Sequence, residues 1–242
     1  MASLEGRIAV VTGASRGIGY AAALALAEAG AHVVALARTT GGLEELDDAI
    51  RAKGGNATLV PLDLTDFAGI DRLGAVIHER WGKLDILFGN AGLLGAITPV
   101  GHLAPKVWDN VMAVNVTANW RLIRSFDLLL RQSDAGRALF VTSGVTRSCR
   151  PFWGVYSASK AALEALVRTY AGEMANTSVR ANLLDPGALR THMRAQAMPG
   201  EDPETLKAPD AVMPAIVRML SPEYAENGVL FRFPAGEIVR FG

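Results

Sequence analysis

Tyr156 and Lys160 stand four residues apart in the segment Tyr156-Ser157-Ala158-Ser159-Lys160, a spacing that places a phenol and an ammonium on one face of a helix. A free phenol titrates near about 10, too high to cycle readily at neutral pH, and a neighbouring cation stabilises the phenolate and lowers that value. Such a pair suits proton transfer to or from an oxygen, which a carbonyl requires when it becomes an alcohol. Ser143 follows an apolar run that reads as a strand, at the carboxyl end where open α/β sheets bind ligands. Its hydroxyl can hold a carbonyl oxygen.

A second constellation lies near the N-terminus, in Thr12-Gly13-Ala14-Ser15-Arg16-Gly17-Ile18-Gly19. Glycines here permit a tight turn and a close backbone approach to an anion, and the helix that follows offers free N–H groups and a positive dipole end. Three glycines in a turn also serve purely structural ends. Their place between the first strand and the first helix points to a dinucleotide pyrophosphate. An NAD-preferring site carries an acid about 20 residues past the glycines. Here that count reaches Ala37, then Arg38, with no acid. Arg38 and Arg16 suit a 2′-phosphate, with Thr39 and Thr40 as further hydroxyl donors, so NADP(H) is expected over NAD(H).

The elements that must position these residues alternate. Apolar runs at 8–11, 32–37, 57–62, 84–88, 138–142, 179–184 and 229–233 read as strands buried on both faces. Helical patterns lie between them, the longest over 104–130 and 157–175, and the order implies right-handed βαβ units in a doubly wound parallel sheet. The 242 residues suit one domain, and no linker divides them. With 24 basic and 24 acidic residues, no broad basic face for nucleic acid is expected. A single cysteine excludes a disulfide framework and an all-cysteine metal site, no metal is expected, and a cytoplasmic setting fits. No apolar run approaches the roughly 20 residues that span a bilayer.

Taken together, the Thr-Gly-Ala-Ser-Arg-Gly-Ile-Gly turn, Asp63, Asn90-Ala91-Gly92, Asn115, Ser143, Tyr156-x-x-x-Lys160, Pro186-Gly187 and Thr191 resemble, in order and spacing, the short-chain dehydrogenase/reductase superfamily. The resemblance implies a Rossmann-like α/β fold of about seven parallel strands with helices on both faces. It also implies a set in which Asn115, Ser143, Tyr156 and Lys160 work together, Asn115 positioning water in a proton relay and Lys160 also holding the nicotinamide ribose. Gly13, Ser15, Arg16, Gly17, Ile18 and Gly19 would meet the cofactor phosphates and Asp63 the adenine edge. Asn90, Ala91 and Gly92 would line a ribose, while Pro186, Gly187 and Thr191 would fix the nicotinamide amide. One departure is Gly89, where the family pattern usually has a first asparagine.

The expected partner is a small carbonyl compound or alcohol, with an apolar pocket formed by Leu93, Leu94, Ile97, Val145, Phe152 and Trp153. Residues 188–209, rich in Pro and Met, are expected to form a substrate lid that includes His192 and Met193. Arg147 and Arg150 can hold a carboxylate or phosphate, or face solvent or a partner subunit. Two other readings stay open: a catalytically idle NADP-binding regulatory protein, and a 3-oxoacyl-carrier-protein reductase, whose docking would need cations such as Arg131 and Arg137. Family likeness implies a homodimer or homotetramer. Leu122, Phe126, Leu163, Leu166 and Tyr170 suit either that seam or the core. Residues 238–242 are expected to pack on a neighbouring subunit or its lid.

Overall fold

In the computed structural model, residues 3–241 are described. The first half runs β1 (Ile8–Thr12), α1 (Gly17–Glu28), β2 (His32–Ala37), α2 (Thr40–Ala52), β3 (Asn56–Pro61), α3 (Phe67–Trp81) and β4 (Ile86–Gly89). The second continues with α4 (Pro105–Met112), α5 (Ala118–Arg131), β5 (Arg137–Val141), a short α6 (Val145–Ser148), α7 (Gly154–Glu173) and β6 (Arg180–Asp185). It closes with α8 (His192–Ala197), α9 (Met213–Met219), β7 (Val229–Arg232) and β8 (Glu237–Arg240).

Strand β1 shows why these runs are continuously apolar. Ala9 and Val11 enter one core and Ile8 and Val10 the other, because successive side chains leave opposite faces of a strand. The Ala-rich α1, the Leu43/Leu46/Ile50 stripe of α2, and α9 cover the first face. Helices α3, α5 and α7 cover the second. The sheet order is β3-β2-β1-β4-β5-β6-β7-β8, so the winding reverses between β1 and β4. There the connections leave in opposite directions and a crevice opens at the carboxyl ends of the strands.

Two expectations change. The sheet has eight strands rather than about seven among the described residues, and the last pairing is antiparallel, with Arg232 opposite Glu237 and Val229 opposite Arg240. Residues 238–241 therefore pack on the chain's own sheet: a turn through Gly236, at φ 65°, folds them back, and the Arg168 guanidinium lies 4.0 Å from the Phe241 ring centre. Leu122, Phe126, Leu163 and Tyr170 belong to the chain's own core, and Leu166 packs against it. Among the described residues, no helix is long and apolar enough to cross a membrane.

Candidate active site

The glycine turn is shaped by contact with β4. The Thr12 hydroxyl donates to the Phe88 carbonyl and accepts the N–H groups of Asn90 and Ala91, each at 3.0 Å. The Asn90 amide nitrogen in turn donates to the Thr12 carbonyl at 2.9 Å. A Cβ at Gly19 would collide with the Gly13 carbonyl oxygen, so only glycine fits there. Gly17, at φ 60°, takes a left-handed conformation and opens α1. No side chain caps this helix start, which leaves its first N–H groups free for an anion. The cradle therefore fits a dinucleotide pyrophosphate.

A cleft of about 890 Å³ runs from this turn along the carboxyl edge of the sheet. Its walls bring together Gly13, Ser15, Arg16, Gly17, Ile18, Arg38, Asp63, Asn90, Ala91 and Gly92 at one end with Ser143, Tyr156, Lys160, Pro186, Gly187 and Thr191 further along. Gly19 is buried beneath the turn, and Asn115 is buried behind the wall. Neither Arg16 nor Arg38 has a carboxylate within ion-pair distance among the described residues, whereas most arginines elsewhere in the chain do. Asp63 accepts the Thr65 N–H and hydroxyl at 2.9 and 2.8 Å. The backbone bond, more than the nearby Arg38, holds its carboxyl below the usual range.

Lys160 is buried, and its ammonium donates to the Val141 carbonyl at 2.7 Å, beside the end of β5. Burial pulls it down to about 8, and Glu164 pushes the other way. Tyr156, one turn earlier on α7, is also buried, with Lys160 Nζ 5.9 Å from its ring centre. Here the sequence expectation is corrected: burial pushes the phenol up to about 12, outweighing the nearby Ser143 hydroxyl, which lowers it, while Asp185 raises it further. Removal from water costs the phenolate more than the surrounding groups return. At neutral pH the phenol keeps its proton.

Asn115 sits in a π-helical turn, Ala113–Thr117, between α4 and α5. Its Oδ1 accepts the Leu93 N–H at 2.7 Å, and its Nδ2 donates to the Leu93 carbonyl and to Ser159 Oγ, both at 2.9 Å. Both amide protons are engaged, so the side chain braces the Leu93 loop against α7 instead of donating to a water. Its main-chain carbonyl accepts from the Asn119 amide at 2.8 Å.

Three relationships escaped the sequence reading. Glu164 accepts the hydroxyls of Thr142 and Thr146, at 2.6 and 3.0 Å, on either side of Ser143. Asp185, buried at the end of β6, pairs with Arg147 at 2.6 Å and accepts the Gly187 N–H at 3.1 Å. Asn110, Val114 and Gln196 also line the cleft. Local spacing gives no sign of the first two, although Glu164 lies one further turn along the Tyr156–Lys160 helix. Of residues 188–209, several from Ala188 to Ala197, mostly on α8, line the cleft, and a return segment follows, with the Arg190 N–H donating to the Lys207 carbonyl at 2.9 Å. The Thr191 hydroxyl caps α8 by accepting the Arg194 N–H and keeps its own proton to donate. Arg131 pairs with Asp127, and Arg137 is buried against main-chain carbonyls, so neither is a free docking cation.

A doubly wound sheet with these groups at its switch point defines an α/β oxidoreductase. Residues 7–202 match the short chain dehydrogenase family, and the chain belongs to it. The oxidoreductase YciK of Escherichia coli K12 is 39% identical over 214 residues, 87% of this chain and 84% of its own. A Shigella flexneri short chain dehydrogenase, solved complexed with NADP, shares 37% identity and a TM-score of 0.92 over 96% of this chain and 98% of its own. An NAD-dependent oxidoreductase of Mycobacterium tuberculosis is 35% identical over 205 residues, 79% of this chain and 74% of its own.

Proposed function

We propose that this chain interconverts a ketone or aldehyde and the corresponding alcohol with NADP(H), using Tyr156 as general acid and base. The observation that carries the reading is one cleft holding the buried Tyr156 and Lys160 with the half-buried Ser143 toward one end and, beside a glycine cradle at the other, two arginines with no ion-pair partner among the described residues. The nicotinamide, when bound, supplies or accepts the hydride at the carbonyl carbon. The α1 N-terminus and Gly13–Gly19 would hold its pyrophosphate, Arg16 and Arg38 its 2′-phosphate, and Asp63 its adenine edge. Asn90, Ala91 and Gly92 would line a ribose, and Pro186, Gly187 and Thr191 would meet the amide.

In the reducing direction Tyr156 Oη gives its proton to the carbonyl oxygen, and the Ser143 hydroxyl holds that same oxygen. The Lys160 ammonium stabilises the phenolate left behind and holds the nicotinamide ribose. Oxidation reverses these transfers. The likeness to both an NADP-complexed and an NAD-dependent protein leaves the choice of dinucleotide to local residues, and Arg38 standing where an acid would repel a phosphate supports NADP. Residues 188–209 would close over the substrate, and Trp120 and Leu128, both exposed on α5, suit a homodimer or homotetramer seam.

The test is a carbonyl and alcohol panel read by nicotinamide absorbance, with Tyr156→Phe as control. Turnover that the substitution abolishes is expected. Full activity in the variant overturns the mechanism, and cofactor binding without turnover on any substrate favours a regulatory binder.

A further inference from the structure

Four arginines line the part of the cleft beyond the glycine cradle: Arg147, Arg150, Arg194 and Arg232. Three are neutralised within the chain. Arg147 meets Asp185 at 2.6 Å, Arg194 meets Glu201 at 2.5 Å, and Arg232 pairs with Glu237. Arg150 has neither a carboxylate within ion-pair distance nor a side-chain hydrogen bond among the described residues, so its five N–H donors remain available.

Its position is nonetheless built. The guanidinium lies 5.8 Å from the Trp153 ring centre, and the Trp153 and Tyr156 rings are 6.1 Å apart, edge to face. Residues on either side of Arg150 are strained: Cys149 at φ 42° and Phe152 at φ 74° are left-handed without being glycine. Three main-chain bonds hold that conformation, from the Cys149 N–H to Val145, from Trp153 to Arg150, and from Thr98 to Phe152. A loop held at a conformational cost around one unpaired cation, beside the proton-donating phenol, is an arrangement that a substrate anion would repay. The same cleft also presents the apolar side chains of Leu93, Leu94, Val145 and Met193.

We infer that Arg150 anchors the substrate, and that the substrate is an oxo acid or hydroxy acid whose carboxylate is separated from the reacting carbon by an apolar spacer of several carbons. This rests on the oxidoreductase reading above. A planar carboxylate matches the guanidinium fork with two parallel hydrogen bonds. The Trp153 ring, 5.8 Å from the guanidinium and 6.1 Å from the Tyr156 ring, is inferred to stand along the spacer, which favours longer acids over 2-oxo acids, whose carboxylate adjoins the carbonyl.

The experiment compares methyl-ketone carboxylic acids of increasing chain length with their methyl esters, in the wild type, Arg150→Gln and Arg150→Glu, after circular dichroism shows that each is folded. Wild-type kcat/KM is expected to favour the acids about ten- to a hundredfold, with an optimum at intermediate length. In Arg150→Gln the ratio falls toward unity, chiefly through KM for the acids, and in Arg150→Glu it inverts. Equal use of acid and ester by the wild type, or a preference that survives Arg150→Gln, overturns the assignment. Calorimetric titration of the corresponding hydroxy acids into the NADP-loaded protein gives a second readout. Acid binding that depends on Arg150 while no compound turns over upholds the anchor and rejects the reductase reading instead. Acid binding indifferent to Arg150 rejects the anchor alone.

Discussion

The Arg147 guanidinium and the buried Asp185 carboxylate meet at 2.6 Å at the end of β6. Asp185 would otherwise be a bare charge close to Tyr156, where it raises the phenol. Arg147 screens that charge, and the Gly187 N–H shares it. The pair thus links β6 to the segment after Ser143 and adjusts the field at Tyr156. In reduction Lys160 must hold the proton it loses near pH 8, and at a second, higher alkaline limb activity is lost as pH rises through the phenol's pKa. Asp185→Asn removes a negative neighbour, lowers that pKa and moves the higher limb of kcat/KM to lower pH. Arg147→Gln unmasks Asp185 and moves the limb to higher pH. It also costs about 1–3 kcal/mol of stability, toward the lower end because Arg147 is 40% exposed. Limbs that do not separate in opposite directions count against this role.

Glu164 gives a second prediction. By accepting Thr142 and Thr146 at 2.6 and 3.0 Å it fixes the loop that carries Ser143 to the helix that carries Tyr156 and Lys160. Glu164→Ala leaves two hydroxyls without that partner and lets Ser143 move, and about a tenfold fall in kcat is expected, since misplacement by an ångström is costly. Glu164→Gln keeps an acceptor oxygen and retains most of the activity. Cofactor affinity, measured by fluorescence titration, should change little in either. A loss confined to cofactor binding would place Glu164 in a different role.

The contrast between legible and hidden features follows from distance along the chain. The glycine turn, Tyr156-x-x-x-Lys160 and the alternation of strands and helices depend on local spacing, and the structure places them where periodicity predicts. Arg147 and Asp185 are brought together only by the pairing of β5 with β6, and no local pattern marks them. The upward shift of Tyr156 is a consequence of tertiary burial, which a pair read from helical spacing does not include. The π-turn at Asn115 lies inside a segment that reads as one continuous helix, and its extra residue shows only in the wider backbone bond from the Ala118 N–H to the Ala113 carbonyl. The eighth strand follows Phe233-Pro234-Ala235-Gly236, a short hairpin turn that resembles the start of an irregular tail.

Arg38 and Arg16 supply a third prediction. Both are exposed, have no carboxylate within ion-pair distance among the described residues and line the same end of the cleft. Arg38→Ala should weaken NADP binding about tenfold or more while leaving NAD binding nearly unchanged, because the 2′-phosphate is the one group by which the two differ. High salt should narrow the difference by screening. Calorimetric titration of both dinucleotides measures it. An equal loss for both would place Arg38 elsewhere in the site.

Lys160 illustrates a cost of the proposed chemistry. Its ammonium is buried with one carbonyl partner, and its fall from the ordinary 10.5 to about 8 corresponds to roughly 3 kcal/mol against the charged form. Between these two values the unfolded chain holds a proton that the folded chain has released, so stability rises with pH across that window. Below pH 8 both states are protonated and the full penalty applies. Lys160→Met removes the charge, leaves the Val141 carbonyl without its donor at a cost of about 1 kcal/mol, and keeps a side chain of similar length. The cofactor-free variant should therefore be about 1–2 kcal/mol more stable than the wild type at pH 7, with carbonyl reduction lost. That advantage should shrink as pH rises from 8 to 10.5. Comparing the two proteins by urea unfolding at each pH cancels the titration of Tyr156, which both retain. A variant less stable at pH 7, or an advantage that does not change with pH, would mean that the buried ammonium is already compensated by groups other than Val141.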